Sequence, residues 1–215
     1  MTLDRAGLPF IVGALAPAVA LALLGRGLWG IPFLLLAVFF AYFFRDPERQ
    51  PPPEHLVVIA PADGRVMVAG APEPGAAPSG AWKQISIFLS PMDVHINRAP
   101  FAGRVTRVEM RRGRFLPAYK PESGTKNEHS EIWIEQGGIA IVCRQIVGIL
   151  ARRIVCRVKP GDHLTSGARI GLMKFGSRMD VFVPITATIL VRVGQHVRGG
   201  ETVIARLDEP AVVRS

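Results

Sequence analysis

The sequence predicts a mainly β protein, a pseudo-symmetric flattened barrel or sandwich preceded by an N-terminal hydrophobic helical hairpin. Three observations predict it. Two uncharged apolar runs occupy residues 8–24 and 28–44, short β-branched stretches separated by Gly and Pro fill the remainder, and two motifs recur within that remainder at fixed spacing. With 215 residues, 49% apolar and 20% charged, the chain is too apolar for disorder and long enough for about one core-bearing domain. Its formal charge of +9 calls for an anionic partner, and composition leaves nucleic acid, a membrane surface and a phosphorylated small molecule open.

The amino-terminal runs decide among these in favour of a membrane. Each is slightly short of the roughly 20 residues that span a bilayer, so a tight hairpin is favoured while interfacial or re-entrant helices stay open. Arg26 stands alone in the intervening turn, whereas Arg5 precedes the first run and Arg45 and Arg49 follow the second. The positive-inside rule then puts both ends in the cytoplasm. A cleaved signal peptide would account for the Ala-rich stretch 14–22, but a second, more aromatic apolar run follows at once. Two helices of a soluble core would need a polar face, which Phe39, Phe40, Tyr42, Phe43 and Phe44 deny. The expected division is a membrane-associated hairpin over 1–46 and a β-rich domain over 47–215.

Pro47, Pro51, Pro52 and Pro53 stop the second helix and make a stiff linker. Strand-like stretches follow at 56–60, 64–70, 84–90, 103–110, 131–135, 139–148, 153–159, 180–193 and 202–207. No long helix-period segment is evident after Phe44, which argues against a doubly wound α/β fold. In the first echo, Gly161, Leu164, Gly167 and Ile170 recur 33 positions on as Gly194, Val197, Gly200 and Val203. In the second, Pro61, Gly64, Arg65 and Val66 recur as Pro100, Gly103, Arg104 and Val105. Glycines at fixed spacing mark tight turns or close backbone approaches. The first echo resembles the hammerhead half of biotinyl and lipoyl domains, hence a hybrid barrel of that type. Lys174 after Met173 is the one candidate for such a modification, in a poor context. Cys143 and Cys156 have neither CxxC spacing nor nearby paired histidines, so no metal site or disulfide framework is expected and a reducing compartment fits.

The residues that could carry chemistry lie at strand ends. Gly176-Ser177 separates two strands, and alone it would be an ordinary turn whose hydroxyl bonds the local backbone. Asp63 lies in Pro61-Ala62-Asp63-Gly64, and Asp93 and His95 lie in the block SPMDVHINRAP over 90–100. Loops at such ends present side chains, although His95 could equally be a strand-end residue bonded to a backbone carbonyl. Arg111, Arg112 and Arg114 precede Phe115 and Leu116, a mixture suited to anionic headgroups and a bilayer surface at about 1 kcal/mol per well-placed cation. A solvated charged turn is the plainer account. No aromatic stacking ladder or reader motif supports nucleic acid. Asn127, Glu128 and His129 read as a polar loop, and His55, His163 and His196 as turn or surface residues.

Taken in order and spacing, the paired apolar runs, Phe44-Arg45-Asp46-Pro47, PADG, SPMDVHINRAP, Asn127-Glu128 and Gly176-Ser177-Arg178 resemble the phosphatidylserine decarboxylase family, specifically its short members. The resemblance implies self-cleavage between Gly176 and Ser177 into chains 1–176 and 177–215, with Ser177 becoming a covalent pyruvoyl group. It implies Schiff-base chemistry with the serine amine of phosphatidylserine, giving phosphatidylethanolamine and CO2 at the cytoplasmic face of a bacterial inner membrane. Chemistry explains the residue types: Ser177 Oγ must reach the Gly176 carbonyl across backbone that glycine tolerates, and a carboxylate or imidazole must move protons. The conjugated carbonyl acts as an electron sink, as cofactors do elsewhere.

By the same resemblance Asp63 and His95 are the candidate bases, His95 returns the proton to the former α-carbon, and Asn127 and Glu128 help shape the site. Longer bacterial relatives carry a second His where this chain has Arg98. His95 then serves both stages, or Asp63 acts directly with Arg98 orienting the oxyanion; Asp93 lends support in the same block. A serine lipid with other tails would serve the same chemistry. A membrane-anchored lipoyl-like barrel without activity is the alternative from another class, and it requires one intact chain. A homodimer is compatible with a pseudo-symmetric β domain.

Overall fold

A computed structural model describes residues 2–149, 153–174 and 176–208. The chain forms two compact units, Met1–Glu48 and Arg49–Ser215.

In the first unit, strand β1 (Thr2–Leu3) leads through a 3-10 turn at Arg5–Gly7 into helix α1 (Leu8–Leu23), then α2 (Gly27–Phe43) and β2 (Arg45–Asp46). Asp4 starts the turn, its Oδ1 accepting the Ala6 N–H at 2.9 Å. Pro9 sits in the first turn of α1, where its missing N–H has no intrahelical partner to lose. The reversal uses Gly25 at φ +70°, a left-handed conformation that a Cβ would oppose. Small residues let α1 and α2 approach: Ala14, Gly30 and Ala37 are buried, and a Cβ on Gly30 would stand 3.0 Å from the Ala18 carbonyl oxygen. Outward positions stay apolar, with Leu23, Leu24, Leu28 and Trp29 exposed. The segment Arg5–Leu23 is long and apolar enough to cross a bilayer, whereas Gly27–Phe43 is shorter. β1 pairs antiparallel with β2, so the chain enters and leaves this hairpin at one end.

The second unit is built from β3 (Val57–Ile59), β4 (Gly64–Gly70), β5 (Trp82–Leu89), β6 (Ile96–Arg98), β7 (Gly103–Arg111), a helical turn α3 (Ser123–Lys126), β8 (His129–Gln136), β9 (Ile139–Ile146), β10 (Ile154–Cys156), β11 (His163–Leu164), β12 (Arg169–Met173), β13 (Ser177–Pro184), β14 (Thr188–Ile189), β15 (His196–Val197) and β16 (Val203–Arg206). An antiparallel sheet of eight strands has the order β11-β7-β8-β9-β13-β5-β4-β15, and two three-stranded sheets have the orders β10-β12-β6 and β14-β16-β3. The mainly β expectation holds.

The two sequence echoes bond to each other. Gly64 and Arg65 pair with Val197 and His196, while Gly103 and Arg104 pair with Leu164 and His163. Val66 and Gln195 repeat as Val105 and Asp162, with N–H to carbonyl distances of 2.9 and 2.8 Å. At the centre, Ile59 N–H donates to Pro100 O and Arg98 N–H to Pro61 O, both at 2.8 Å. The internal repetition therefore has a structural meaning: each copy of one motif receives one copy of the other.

Alternation along the strands gives the large sheet two chemically different faces. Ile85, Ile87, Leu89, Ile132, Cys143, Met179 and Val181 point inward and form the apolar core. Gln84, Ser86, Glu131, Arg144, Arg178 and Asp180 have the opposite parity and are also buried.

Three expectations need correction. The stretch 180–193 is not one strand, because Pro184 has no N–H to continue the ladder and its carbonyl accepts from Ala187 N–H at 2.9 Å, turning the chain before β14. His129 is not in a polar loop but begins β8 and is buried. Arg49, counted above among charges flanking the membrane, is held in ion pairs inside the β unit. The proline segment also packs there, since a Cβ on Gly167 would meet Pro51 Cγ at 2.6 Å.

Candidate active site

Ser177 opens β13, between β5 and β9 at the middle of the large sheet. Its ladder partner is Leu89, the last residue of β5, and its side chain has inward parity. It is completely buried, and among the described residues its Oγ has no hydrogen-bond partner. An unsatisfied buried hydroxyl costs about 1–3 kcal/mol, so its retention calls for a role. Gly176 precedes it at φ +73°, and the Gly176 carbonyl oxygen lies where a Cβ on Gly148 would stand. Phe175 lies outside the described residues.

On the other side of β5, Arg65 pairs with Phe88, so β4 starts where β5 ends. Asp63 immediately precedes this start. Arg49 Nη2 donates to both its oxygens, at 2.8 and 3.1 Å, and Gly199 N–H donates to Oδ1 at 2.8 Å. Burial nevertheless pushes the Asp63 carboxyl above its ordinary value, against the lowering by Arg49 and Gly199 N–H, and the Asp93 charge adds to the rise. A carboxylate held in place yet readily protonated is suited to proton transfer. Arg98 reaches the same corner: a Cβ on Gly200 would meet Arg98 Cδ at 2.8 Å and Arg49 Cβ at 3.2 Å. Its Nη1 donates to Gly167 O at 3.2 Å.

The loop after β5 carries Asp93 and His95. Ser90 N–H donates to Asp93 Oδ2 at 2.8 Å, which folds this loop back. His95 is buried, with Nδ1 2.9 Å from the Asp93 carbonyl oxygen. A carbonyl only accepts, so the Nδ1 proton is fixed and Nε2 is the basic nitrogen of the neutral ring. The bond to a backbone carbonyl considered for a strand-end His is present, and it selects the tautomer.

The residue after Ser177 anchors the strand. Arg178 Nε donates to Asp180 Oδ1 at 2.6 Å, and Nη2 reaches Glu73 Oε2 at 2.5 Å and Ser86 Oγ at 2.9 Å. Ser86 Oγ and Gln84 Nε2 donate to Asp180 at 2.6 and 3.0 Å. Burial works against the Arg178 charge, but Asp180 and Glu73 together raise its pKa further.

The phosphatidylserine decarboxylase family profile matches residues 36–205. A phosphatidylserine decarboxylase proenzyme of Solibacter usitatus is 41% identical over 96% of this chain and 97% of its own length. Those of Salinibacter ruber and Symbiobacterium thermophilum are each 44% identical, over 87% and 95% of this chain and 86% and 95% of their own lengths. The chain belongs to the phosphatidylserine decarboxylase family.

One ladder row crosses the sheet from β7 to β15 next to Ser177. Arg111, His129, Ile146, Arg178, Phe88, Arg65 and His196 are successive partners across the sheet. Ser177, Asp63, Asp93 and His95 all lie at this end. Asn127 braces it: Nδ2 donates to Leu116 O and Val147 O, both at 2.8 Å, and Oδ1 accepts Leu116 N–H at 2.9 Å. Glu128 contributes backbone, its carbonyl accepting Val147 N–H at 3.1 Å. Both residues thereby hold the 147–148 segment under Gly176. Arg111, Arg112 and Arg114 are exposed, Phe115 is 39% exposed, and Leu116 is half-buried. His55, His163 and His196 are exposed as expected, and His196 Nε2 lies 3.2 Å from Asp93 Oδ1.

Sequence reasoning missed Arg49, Glu73, Gly148 and Asp180 at this candidate site. Arg178 and Asp180, two apart on a strand, carried a same-face charge signal. Gly148 carried none.

Proposed function

We propose that the chain is a pyruvoyl-dependent carboxy-lyase that converts phosphatidylserine to phosphatidylethanolamine and CO2, made as a proenzyme that cuts itself between Gly176 and Ser177. The observation that carries this reading is the buried Ser177 Oγ, unpartnered among the described residues, beside a left-handed Gly176, in a chain of this family. In the processing step, Oγ adds to the Gly176 carbonyl carbon and the peptide nitrogen leaves, converting the amide to an ester. Removal of the Ser177 Cα proton then expels the Gly176 carboxylate, and hydrolysis of the resulting dehydroalanine releases ammonia and leaves the pyruvoyl group. Asp63 is assigned as base, held by Arg49, with His95 the second candidate. Arg98 and Asp93 support them.

The pyruvoyl carbonyl supplies the electron sink for loss of CO2. With Nδ1 donating to the Asp93 carbonyl, His95 takes up a proton at Nε2 and, as the imidazolium, delivers it to the former α-carbon. Asn127 and Glu128 hold the wall at 147–148. Arg111, Arg112, Arg114, Phe115 and Leu116 meet the anionic bilayer surface. The hairpin over 1–46 keeps the domain over 47–215 at its lipid on the cytoplasmic side of a bacterial inner membrane, and the paired echoes are the basis for a lipoyl-like barrel. A homodimer is compatible with this arrangement.

Intact mass spectrometry of the purified protein, with and without a carbonyl-trapping amine, tests the reading. Two chains divided at Gly176-Ser177, the smaller with a trappable terminus, are expected. Ser177→Ala should remain one chain without decarboxylase activity. A single intact wild-type chain that turns over phosphatidylserine would overturn the mechanism.

A further inference from the structure

A cavity of about 290 Å³ lies on the outer face of the large sheet, opposite in parity to Ser177, and its lining includes Arg107, Arg111, His129, Glu131 and Arg144. The segment 75–79 and Gly124 and Thr125 of α3 close it, contributing no titratable side chain. Of this lining, the proposed function above uses only Arg111, at the bilayer surface.

His129 points to a ligand. It is only 6% exposed, and among the described residues its Nε2 has no hydrogen-bond partner. Its Nδ1 lies 2.8 Å from Asn127 O, which can only accept, so the proton is on Nδ1 and Nε2 is bare in the neutral ring. Around it stand three guanidiniums and two carboxylates. Arg144 Nε is 2.6 Å from Glu131 Oε2, Arg107 bridges Glu109 and Glu131 at 3.3 and 3.4 Å, and Arg111 reaches Glu109 at 3.1 Å. The positive charge exceeds the negative by one even with His129 neutral. Arg107 and Arg111 are half exposed at the mouth, so their forks can reorient toward an oxyanion.

We propose that this cavity is an oxyanion site for a phosphate monoester, held by Arg111, Arg107 and a doubly protonated His129. Binding takes up one proton at His129 Nε2, because only the protonated nitrogen donates. Before binding, burial holds this imidazole below its ordinary pKa, and Arg144 and Arg111 add to the effect against the Asn127 carbonyl and Glu131. The bound anion reverses the balance. The site is independent of the self-cleavage reading, because its residues face away from Ser177.

Calorimetry on the full chain in neutral detergent, with sulfate as the probe and chloride holding ionic strength constant, tests this directly. Sulfate does not titrate between about pH 5 and 8, so any pH dependence belongs to the protein. The expected result is one site that tightens toward tenfold per unit as pH falls toward the His129 titration, with about one proton taken up. Arg111→Gln, an exposed substitution that spares the core, should weaken it at least tenfold, and His129→Asn should remove the pH dependence. Sulfate that binds no better than chloride, or equally to both variants and wild type, overturns the proposal.

Two further arms identify the source of the phosphate. Saturable binding of soluble glycerol 3-phosphate assigns a free ester. Preference for phosphatidate over phosphatidylcholine vesicles, lost in His129→Asn, assigns a lipid headgroup, since a buried histidine does not serve the general basic surface. Absence of both overturns the assignment to a phosphate monoester.

Discussion

The carbonyl oxygen of Gly176 occupies the space that a Cβ on Gly148 would fill. Val147 N–H donates to Glu128 O and Val147 O accepts from Asn127, so the segment under the Gly176 carbonyl is tied down at the preceding residue. Gly148→Ala must displace that carbonyl or the segment beneath it. A displacement near 1 Å at a reacting centre costs on the order of 100-fold. Self-cleavage should slow by about that factor, followed as the fraction of intact chain on a gel, while circular dichroism retains the β signal. Wild-type cleavage rates in this variant would show that the contact does not position the bond.

Arg49 and Asp63 form an ion pair whose side chains are 9% and 13% exposed. Arg49 lowers the Asp63 pKa against the dominant rise from burial. If Asp63 is the processing base, cleavage needs it ionised. The rate should fall on the acid side at a pH above that at which an exposed aspartate titrates. Arg49→Ala should move this acid limb to still higher pH, and Asp63→Asn should abolish cleavage. An unmoved limb in Arg49→Ala would remove Asp63 from the step.

Asp180→Asn leaves Arg178 buried with a weakened counter-charge. Removing one member of a buried pair costs about 3–5 kcal/mol. Thermal unfolding in detergent should show this loss, and cleavage should suffer with it, because Arg178 anchors the strand that Ser177 begins. A stability unchanged within about 1 kcal/mol would mean that Glu73 and Ser86 hold Arg178 without Asp180.

His129 gives the stability a defined pH dependence. Its folded pKa lies below the ordinary imidazole value of about 6.5, so the unfolded chain takes up a proton first as pH falls. The stabilising contribution is complete above that value and is lost as pH drops through the folded titration. Wild type should lose more stability than His129→Gln below pH 6.5 in anion-poor buffer. Parallel curves would contradict the neutral, buried imidazole.

Much of this was legible in the amino-acid order. Apolar runs without charge gave the two helices, and Gly-bounded β-branched stretches gave most strands, with 64–70 and β4 agreeing at both ends. The echoes gave the repetition, though not its pairing, because which copy meets which depends on contacts far apart in sequence. Pro184 stands inside an otherwise β-rich run, where its missing N–H ends the strand. Ser177, Asp63 and His95 stood out by motif. Arg49 and Glu73 did not, since a surface charge and a buried partner are the same letter until the chain folds. Gly148 became meaningful only once another strand's carbonyl lay above it.

β13 is an interior strand, flanked by β5 and β9, and the segments after it supply β15 to the same sheet and β14 and β16 to a smaller one. A piece beginning at Ser177 would therefore be woven through the body rather than attached to its side. Neither fragment could keep its shape alone. The cut protein would behave as a permanent two-chain molecule, indifferent to dilution, whose fragments do not exchange between copies without complete unfolding.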